Sequence, residues 1–218
     1  MAVGPDVARF MNVARVRLPG ATDDAMQLEL FAVMDEFFKG SNVWQEDVDV
    51  TIPANDPAGT IYYVTPTGPS LVDKLMWVYQ APTSTAIGRG PQVAASMQYP
   101  GEITLSSQPS RVVTYRVTVT LTVQDPTTRD GYVSFPAWVL ARYRNIILDG
   151  LLGRMMSQPN KPFSNMQLSV FHMRKFIGGI SSARVEATRN NTYRQQAWRF
   201  PGFAGGSQRG RGGWAQPQ

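Results

Sequence analysis

The sequence predicts an α+β fold, in which a helical bundle, made of an N-terminal helix and a C-terminal helical hairpin, carries an inserted β-rich domain and an extended C-terminal arm. Apolar residues recur at three- and four-residue spacing in residues 22–39 and 136–189, as on one side of a helix. Within residues 41–132, apolar and polar residues alternate instead, as in strands with one buried side. Residues 194–218 follow neither period, so we do not expect them to fold alone.

These patterns divide the 218 residues into four parts. They predict an N-terminal arm (1–20), a helical core (21–40 and 133–192), a β-rich insertion (41–132) and a basic, aromatic C-terminal arm (193–218). With 43% hydrophobic residues, the chain can bury a core. The absence of cysteine excludes disulfide scaffolds, thiolate zinc sites and thiol nucleophiles. No apolar run is long enough to cross a membrane, so we expect no membrane partner.

The first helix is predicted from its ends as well as from its spacing. Thr22 can cap the helix, and Gly40 is a stop signal. Asp23 and Asp24 suit the positive end of the helix dipole. The preceding residues 1–20 mix arginine, proline and valine, which favours an extended arm. The expected apolar side of the helix consists of Leu28, Phe31, Ala32, Phe37 and Phe38.

The insertion is predicted to contain several strands. Residues 111–124 give the clearest pattern, because valine, leucine and tyrosine alternate there with threonine and arginine. Residues 71–80 form either a strand or one helical turn followed by a strand. Residues 81–110 are rich in glycine, proline, serine and glutamine, which indicates a long loop interrupted by short strand pieces. Further strand segments are expected at 43–52, 60–64, 97–99 and 103–105.

A short linker joins the two helices predicted after the insertion. The first opens at Pro136, which the first helical position tolerates, and stops before Pro159. The second starts at Ser164, where residues 164–167 have the form of a capping box, and continues to about Arg189. The shortness of the linker favours an antiparallel helical hairpin.

The helical spacing also predicts which side chains form the core. On the first hairpin helix we expect Ile146, Ile147, Leu151 and Leu152 to be buried. Their expected partners are Phe31 and Phe37 of the first helix and the apolar side of the second hairpin helix. That side consists of Leu168, Phe171, Ile177, Ile180 and Ala183.

The sequence contains little that suits catalysis or metal binding. Its one histidine, His172, lies within a helix, where a hydrogen-bonded packing role is more common than a catalytic one. Asp47 and Asp49 lie two apart on a strand, but without a third acid or a histidine nearby they are best interpreted as surface acids. Residues 88–91 lack the ending of a phosphate-binding loop. We therefore expect no enzymatic activity, no cofactor and no bound metal.

Charge is distributed unevenly along the chain, whose net charge is +5. Residues 21–50 contain eight acids and one lysine, whereas residues 171–218 contain eight bases and one acid. This polarity suits head-to-tail contact between subunits or docking to an acidic partner. The alternative is a solvated surface on which the charges happen to segregate. The contacts expected between subunits involve Asp23, Asp24, Asp35, Glu36, Arg174, Lys175 and Arg184.

The C-terminal arm combines bases and aromatic residues with glycine. Such a segment can hold single-stranded nucleic acid, because arginine neutralises phosphate and aromatic rings stack on bases. The same residue types dominate the energetics of protein interfaces, so the arm can instead thread a groove between subunits. The groove is favoured, since the first aromatic residues directly follow the folded hairpin. The residues expected to dock are Trp198, Arg199, Phe200, Phe203, Arg209, Arg211 and Trp214.

The order of these segments resembles the head-to-tail adaptor proteins of tailed bacteriophages, which form the ring under the portal in short-tailed phages. The resemblance rests on residues 44–48, which introduce the β insertion, and on residues 135–143, which open the hairpin. Its other local matches are the turn at 158–163 and the helical stretches at 171–176 and 183–187. None of these is an active-site signature. The long loop of the insertion and the glycine-rich arm have no counterpart in this pattern.

The resemblance implies a structural virion protein that docks on the portal, contacts a tail or nozzle protein and lines the channel for packaged DNA. It also implies a ring of twelve copies at the capsid–tail junction, assembled from chains made in the host cytoplasm. Two alternatives remain open. One is another phage neck or tail-completion protein, and the other is a nucleic-acid-binding protein that acts through its C-terminal arm.

Overall fold

A computed structural model describes residues 5–81, 90–124 and 135–189. Two helices precede the strands and two follow them, so the α+β class predicted from the sequence is confirmed. The helices are α1 (Pro5–Arg17), α2 (Asp23–Ser41), α3 (Ala137–Met156) and α4 (Met166–Thr188). The strands are β1 (Gln45–Ile52), β2 (Tyr62–Tyr63), β3 (Ser70–Gln80), β4 (Ala95–Tyr99), β5 (Glu102–Leu105) and β6 (Val113–Val123).

The four helices pack around one apolar core, and glycines set how closely they approach. A Cβ added to Gly150 of α3 would lie 2.8 Å from the ring of Phe176 of α4. A Cβ added to Gly40 of α2 would lie 2.6 Å from Ile180 of α4. Both distances are shorter than a side chain could accept, so α4 packs tightly against α2 and α3. The largest core residues include Phe10, Phe37, Phe38, Met34, Ile147, Leu151, Leu152, Met155 and Phe176.

The N-terminal segment is a helix, so the prediction of an extended arm over residues 1–20 is wrong for residues 5–17. Phe10, Met11, Ala14 and Leu18 recur at helical spacing and are buried against the other helices. The arginines of this segment lie on the outer side of α1, where they remain solvated. Their presence in the sequence had obscured a short but regular apolar side.

The six strands form two antiparallel sheets, in the orders β1-β6-β3 and β2-β5-β4. The 71–80 segment is therefore strand throughout, within β3. Strand β6 is central, and from Val117 to Val123 every residue is buried because α2 covers the side of the sheet that faces away from β2-β5-β4. The core between the sheets contains Ile52, Tyr62, Val64, Val72, Val78, Ile103, Leu105, Tyr115, Val117, Val119 and Leu121.

Polar contacts join the helices to the sheet. The Thr122 hydroxyl on β6 donates a hydrogen bond to Asp35 Oδ1 on α2, at 2.8 Å. The Lys74 ammonium on β3 donates to the carbonyl oxygen of Lys39, also at 2.8 Å, close to the C-terminal end of α2 where a cation is favoured. The Trp44 side chain packs against both cores. The helices and the first sheet are thus in direct contact along α2.

Helices α2 and α3 largely follow their predicted patterns. Thr22 caps α2, as expected, by accepting a hydrogen bond from the Ala25 N–H at 3.4 Å. Ile147, Leu151 and Leu152 of α3 are fully buried, and Ile146 is partly buried against the same core. Leu28 was expected on the apolar side of α2 but is exposed, since Met26, Leu30, Val33 and Met34 occupy the buried side.

Helix α4 departs from its prediction at its start and on its buried side. Asn165 rather than Ser164 is the N-cap, because the Asn165 side chain accepts the Leu168 N–H at 3.1 Å while Ser164 belongs to the preceding turn. Phe171 and Ile177, predicted to be in the core, are 51% and 55% exposed. Ile180 and Ala183 do pack against the core, as expected.

Candidate interaction surface

Within the described residues, one side of α4 packs against the rest of the protein. Ser169, Phe176, Ala183 and Ala187 are its buried residues, and their separations of seven, seven and four residues place them on one side of the helix. The Ser169 hydroxyl also donates a hydrogen bond to the carbonyl oxygen of Gly153 on α3, at 2.7 Å. This contact satisfies a buried hydroxyl and fixes the rotation of α4 against α3. The sides of α4 away from these residues and from Met173 and Ile180 face away from the described core.

A first row of exposed residues follows α4 along its outer surface. Its members are spaced by three or four residues, which places them on one side of the helix. The apolar members are 44–64% exposed, although side chains of this type normally lie in cores. The first row consists of Met166, Val170, Arg174, Ile177, Ser181 and Arg184.

A second exposed row lies farther round the helix, about a third of a turn from the first. Phe171 in this row is covered by Lys175, whose ammonium lies 4.7 Å from the ring centroid. A Cβ added to Gly178 would meet no described atom within 4 Å, so the helix surface is open at that point. The second row consists of Leu168, Phe171, Lys175, Gly178 and Ser182.

The sequence does indicate this surface, but the indication is missed when apolar residues are expected on only one side of the helix. Seven of the twelve residues from 166 to 177 are apolar, and they are distributed around the helix rather than along one side. A helix that is apolar all round is normally enclosed on every side. Of these seven, Met173 and Phe176 are the two that pack against the core formed by the described residues.

The charge of the outer surface of α4 is positive. Within residues 5–81, 90–124 and 135–189, Arg174 and Arg184 form no ion pair. The one acid of α4, Glu186, is bound by Arg142 at 3.1 Å and by the hydroxyl of Tyr143 at 3.0 Å. No carboxylate of α4 itself therefore offsets the two arginines.

The acids predicted to contact a neighbouring subunit have partners within the chain. Asp23 Oδ1 accepts a hydrogen bond from Arg15 Nε at 2.8 Å, and Asp35 pairs with Lys39 at 2.8 Å. Glu36 pairs with Arg154 at 2.6 Å, and the same guanidinium lies 3.9 Å from Glu29. Asp24 is exposed and, among the described residues, makes no ion pair. Most of the negative charge of α2 is thus compensated internally.

Asp47 and Asp49 are exposed surface acids, as the sequence analysis predicts. Both lie on β1 and bond to the neighbouring strand β6, Asp47 to the Thr118 hydroxyl and Asp49 to Arg116. The hydrogen bond from Arg116 is the main reason that the pKa of Asp49 is lowered. In the described part of the chain, no group of three or more potential ligands could hold a metal ion.

His172 connects α4 to α3. Its Nδ1 lies 2.7 Å from Oδ1 of Asp149, and both side chains are largely buried. Its ring also meets the edge of Phe171 at a centroid distance of 5.4 Å. The residue is thus hydrogen-bonded within a helix pair, and its partner could not be identified from the sequence because Asp149 lies on the other hairpin helix.

Tyr143, at a kink in α3, contacts the C-terminal end of α4. Its backbone dihedrals are non-helical (φ −113°, ψ 16°), and its hydroxyl donates to Glu186 near the C-terminal end of α4. Burial, reinforced by the hydrogen bond to Glu186, raises the pKa of Tyr143 to about 12. The phenol therefore remains protonated, and remains a donor, throughout the neutral range.

Several residues singled out from the sequence lie outside the described ranges. They are the predicted docking residues Trp198, Arg199, Phe200, Phe203, Arg209, Arg211 and Trp214, together with residues 88 and 89 of the segment 88–91 that was compared with phosphate-binding loops. Among the helices of the described ranges, none combines the length and apolar character needed to span a bilayer.

The chain was compared with known proteins. No protein-family model matches it, and no curated protein sequence is significantly similar to it.

Proposed function

We propose that this protein is a structural component of a bacteriophage virion, a head-to-tail adaptor that docks on the portal and presents a surface to the tail. The observation that carries the assembly role is the pair of rows on α4 that the described residues leave exposed. Exposed apolar residues in contiguous rows are typical of surfaces that another chain covers. The resemblance of the segment order to phage adaptors supplies the identity of that assembly.

The proposed arrangement is a ring of twelve copies, matched to the portal, at the capsid–tail junction. A helical bundle with an inserted β-rich domain forms the body of each subunit, and the C-terminal arm (193–218) reaches the portal. Packaged DNA passes through the central channel, and a tail or nozzle protein contacts the opposite face. The role is that of a scaffold rather than an enzyme, and it requires no cofactor.

Imaging of purified particles tests this proposal. We expect the chain at the capsid–tail junction, in a ring that contacts the portal.

Purified alone at low salt, the chain should be largely monomeric by native mass measurement, because the glycine-rich arm carries a large ordering cost that a preformed groove offsets. Particles that lack the chain would contradict the virion role, and a closed ring without portal would contradict templated assembly.

Nucleic-acid binding is the second candidate, favoured by Arg174 and Arg184, which form no ion pair with the described residues, and by the arginines of the C-terminal arm. A truncation after Thr192 separates the two candidates. If the arm binds nucleic acid, the full chain should bind single-stranded DNA with strong salt dependence, and the truncation should abolish binding. If the arm docks on the portal, the truncation should fail to join the portal while both forms bind DNA equally weakly.

A further inference from the structure

We infer that the first row of α4 is a docking site for an acidic, amphipathic helix of a different protein. The row extends from Met166 to Arg184, about 27 Å along the helix axis. This length matches a partner helix of about five turns. The inference rests on the proposed function only in taking the protein to be part of an assembly, and it identifies the chemistry of one partner.

The first row contains both apolar and cationic groups. A matching partner must therefore offer apolar side chains and carboxylates. Met166, Val170 and Ile177 present aliphatic surface, and burying it requires an apolar partner side. Arg174 and Arg184 lie ten residues apart, about 15 Å along the axis. Carboxylates about ten or eleven positions apart on a partner helix would meet both guanidinium groups. Apolar residues at three- and four-residue spacing, both between those carboxylates and beyond the one that meets Arg174, would meet the aliphatic groups.

A second copy of this row does not fit as the occupant. Pairing two copies of the row would bring the Arg174 guanidinium groups together near its middle, and like charges in contact are unfavourable. The acidic side of α2 does not fit either, because Asp23, Asp35 and Glu36 are already paired with Arg15, Lys39 and Arg154. Residues 190–218 carry only positive side chains among their charged residues, so the arm of the same chain would add like charge to the row.

Nucleic acid is a poorer match to the first row than an acidic helix. Phosphate contacts to the two arginines would leave the aliphatic groups of Met166, Val170 and Ile177 exposed to water. The first row also has no aromatic ring on which bases could stack. The exposed phenylalanine of α4, Phe171, belongs to the second row, and the Lys175 ammonium lies over its ring.

Binding of designed peptides to the full-length protein tests the inference. The probe is a labelled synthetic helix with leucines at three- and four-residue spacing and two glutamates eleven residues apart. The control peptide has lysines in place of the glutamates. We expect the acidic peptide to bind at least about tenfold more tightly by fluorescence anisotropy. Equal binding of the two peptides would overturn the inference, since the charges of the row would then play no part.

Variants locate the site. R174E/R184E should reverse the preference between the peptides, and I177S should weaken binding of the acidic peptide about tenfold. The matched controls L168S, in the second row, and L28S, an exposed leucine of α2, should bind like the parent protein. Loss of binding in L168S rather than I177S would overturn the assignment to the first row. All these positions are exposed, and a thermal melt verifies folding; I177A and R174A replace any variant that unfolds.

Two further measurements test the competing occupants. Self-association in sedimentation velocity that I177S removes would overturn the inference in favour of a second copy. Duplex DNA binding that R174E/R184E removes, and that the acidic peptide does not displace, would overturn it in favour of nucleic acid. No phage component takes part in these assays. A negative peptide result would therefore not contradict the adaptor proposal, which particle imaging tests. Particles that lack the chain would not contradict a positive peptide result.

Discussion

The inner and outer sides of α4 are similarly apolar but have opposite environments. Met173, Phe176 and Ile180 pack inward, whereas Met166, Phe171 and Ile177 are exposed. The inner residues face glycines of the other helices, which leave room for large side chains. Gly40, Gly150 and Gly153 receive Ile180, Phe176 and Met173 respectively. The side of a helix that is buried is thus set by the space its neighbours provide as much as by its own hydrophobicity.

Replacing the two phenylalanines of α4 tests this comparison with the largest expected effect. Phe176→Ala should lower the free energy of unfolding by about 3–5 kcal/mol, because it removes a fully buried ring and leaves a cavity. Phe171→Ala should change it by no more than about 0.5 kcal/mol in the isolated protein. Denaturant titration of both variants measures the difference. Similar losses for both would show that the outer side of α4 is also covered in solution.

The two adjacent glycines of α4 provide a smaller and more pointed test. A Cβ at Gly179 would lie 2.6 Å from Ile146 Cγ2, and the β-branched isoleucine is stiff, so Gly179→Ala should destabilise the protein by about 1–2 kcal/mol. At Gly178 the same atom meets open space, so Gly178→Ala should stabilise it by about 0.5–1 kcal/mol through helix propensity. Thermal melts of the pair should therefore shift in opposite directions. Shifts of the same sign would contradict the assigned rotation of α4.

The smallest expected effect concerns the hydrogen bond from Tyr143 to Glu186, at the edge of the inner side. The folded protein raises the pKa of Tyr143 to about 12, above the value of about 10 for an exposed tyrosine. Its contribution to stability is therefore complete below pH 10 and is lost as pH rises from about 10 to 12. Tyr143→Phe should reduce this decline in unfolding experiments across that range. If the variant loses as much stability over this pH range as the parent protein, other groups cause the decline.

The sequence was a good guide to the elements and a poor guide to the candidate surface. Thr22 and the alternation through β6 predicted α2 and the longest regular strand, because capping and period are local properties. Helix α1 was missed, since its arginines share a segment with the apolar side that packs. Arg174, Lys175 and Arg184 were identified as contact residues from charge, and that role is still a prediction. The exposure of Ile177 was not predicted. Its three- and four-residue spacing from other apolar residues of the helix had placed it on the side expected to be buried.

The sequence by itself determined the α+β class, the approximate bounds of α2, α3 and most strands, and the lack of cysteine chemistry. These follow from local patterns and composition, which do not depend on distant residues. Only the tertiary structure decided that Asp35 and Glu36 are paired within the chain and that His172 meets Asp149. It also decided which side of α4 is buried. Each of these depends on residues far apart in sequence, whose meeting is set by how the helices pack against one another.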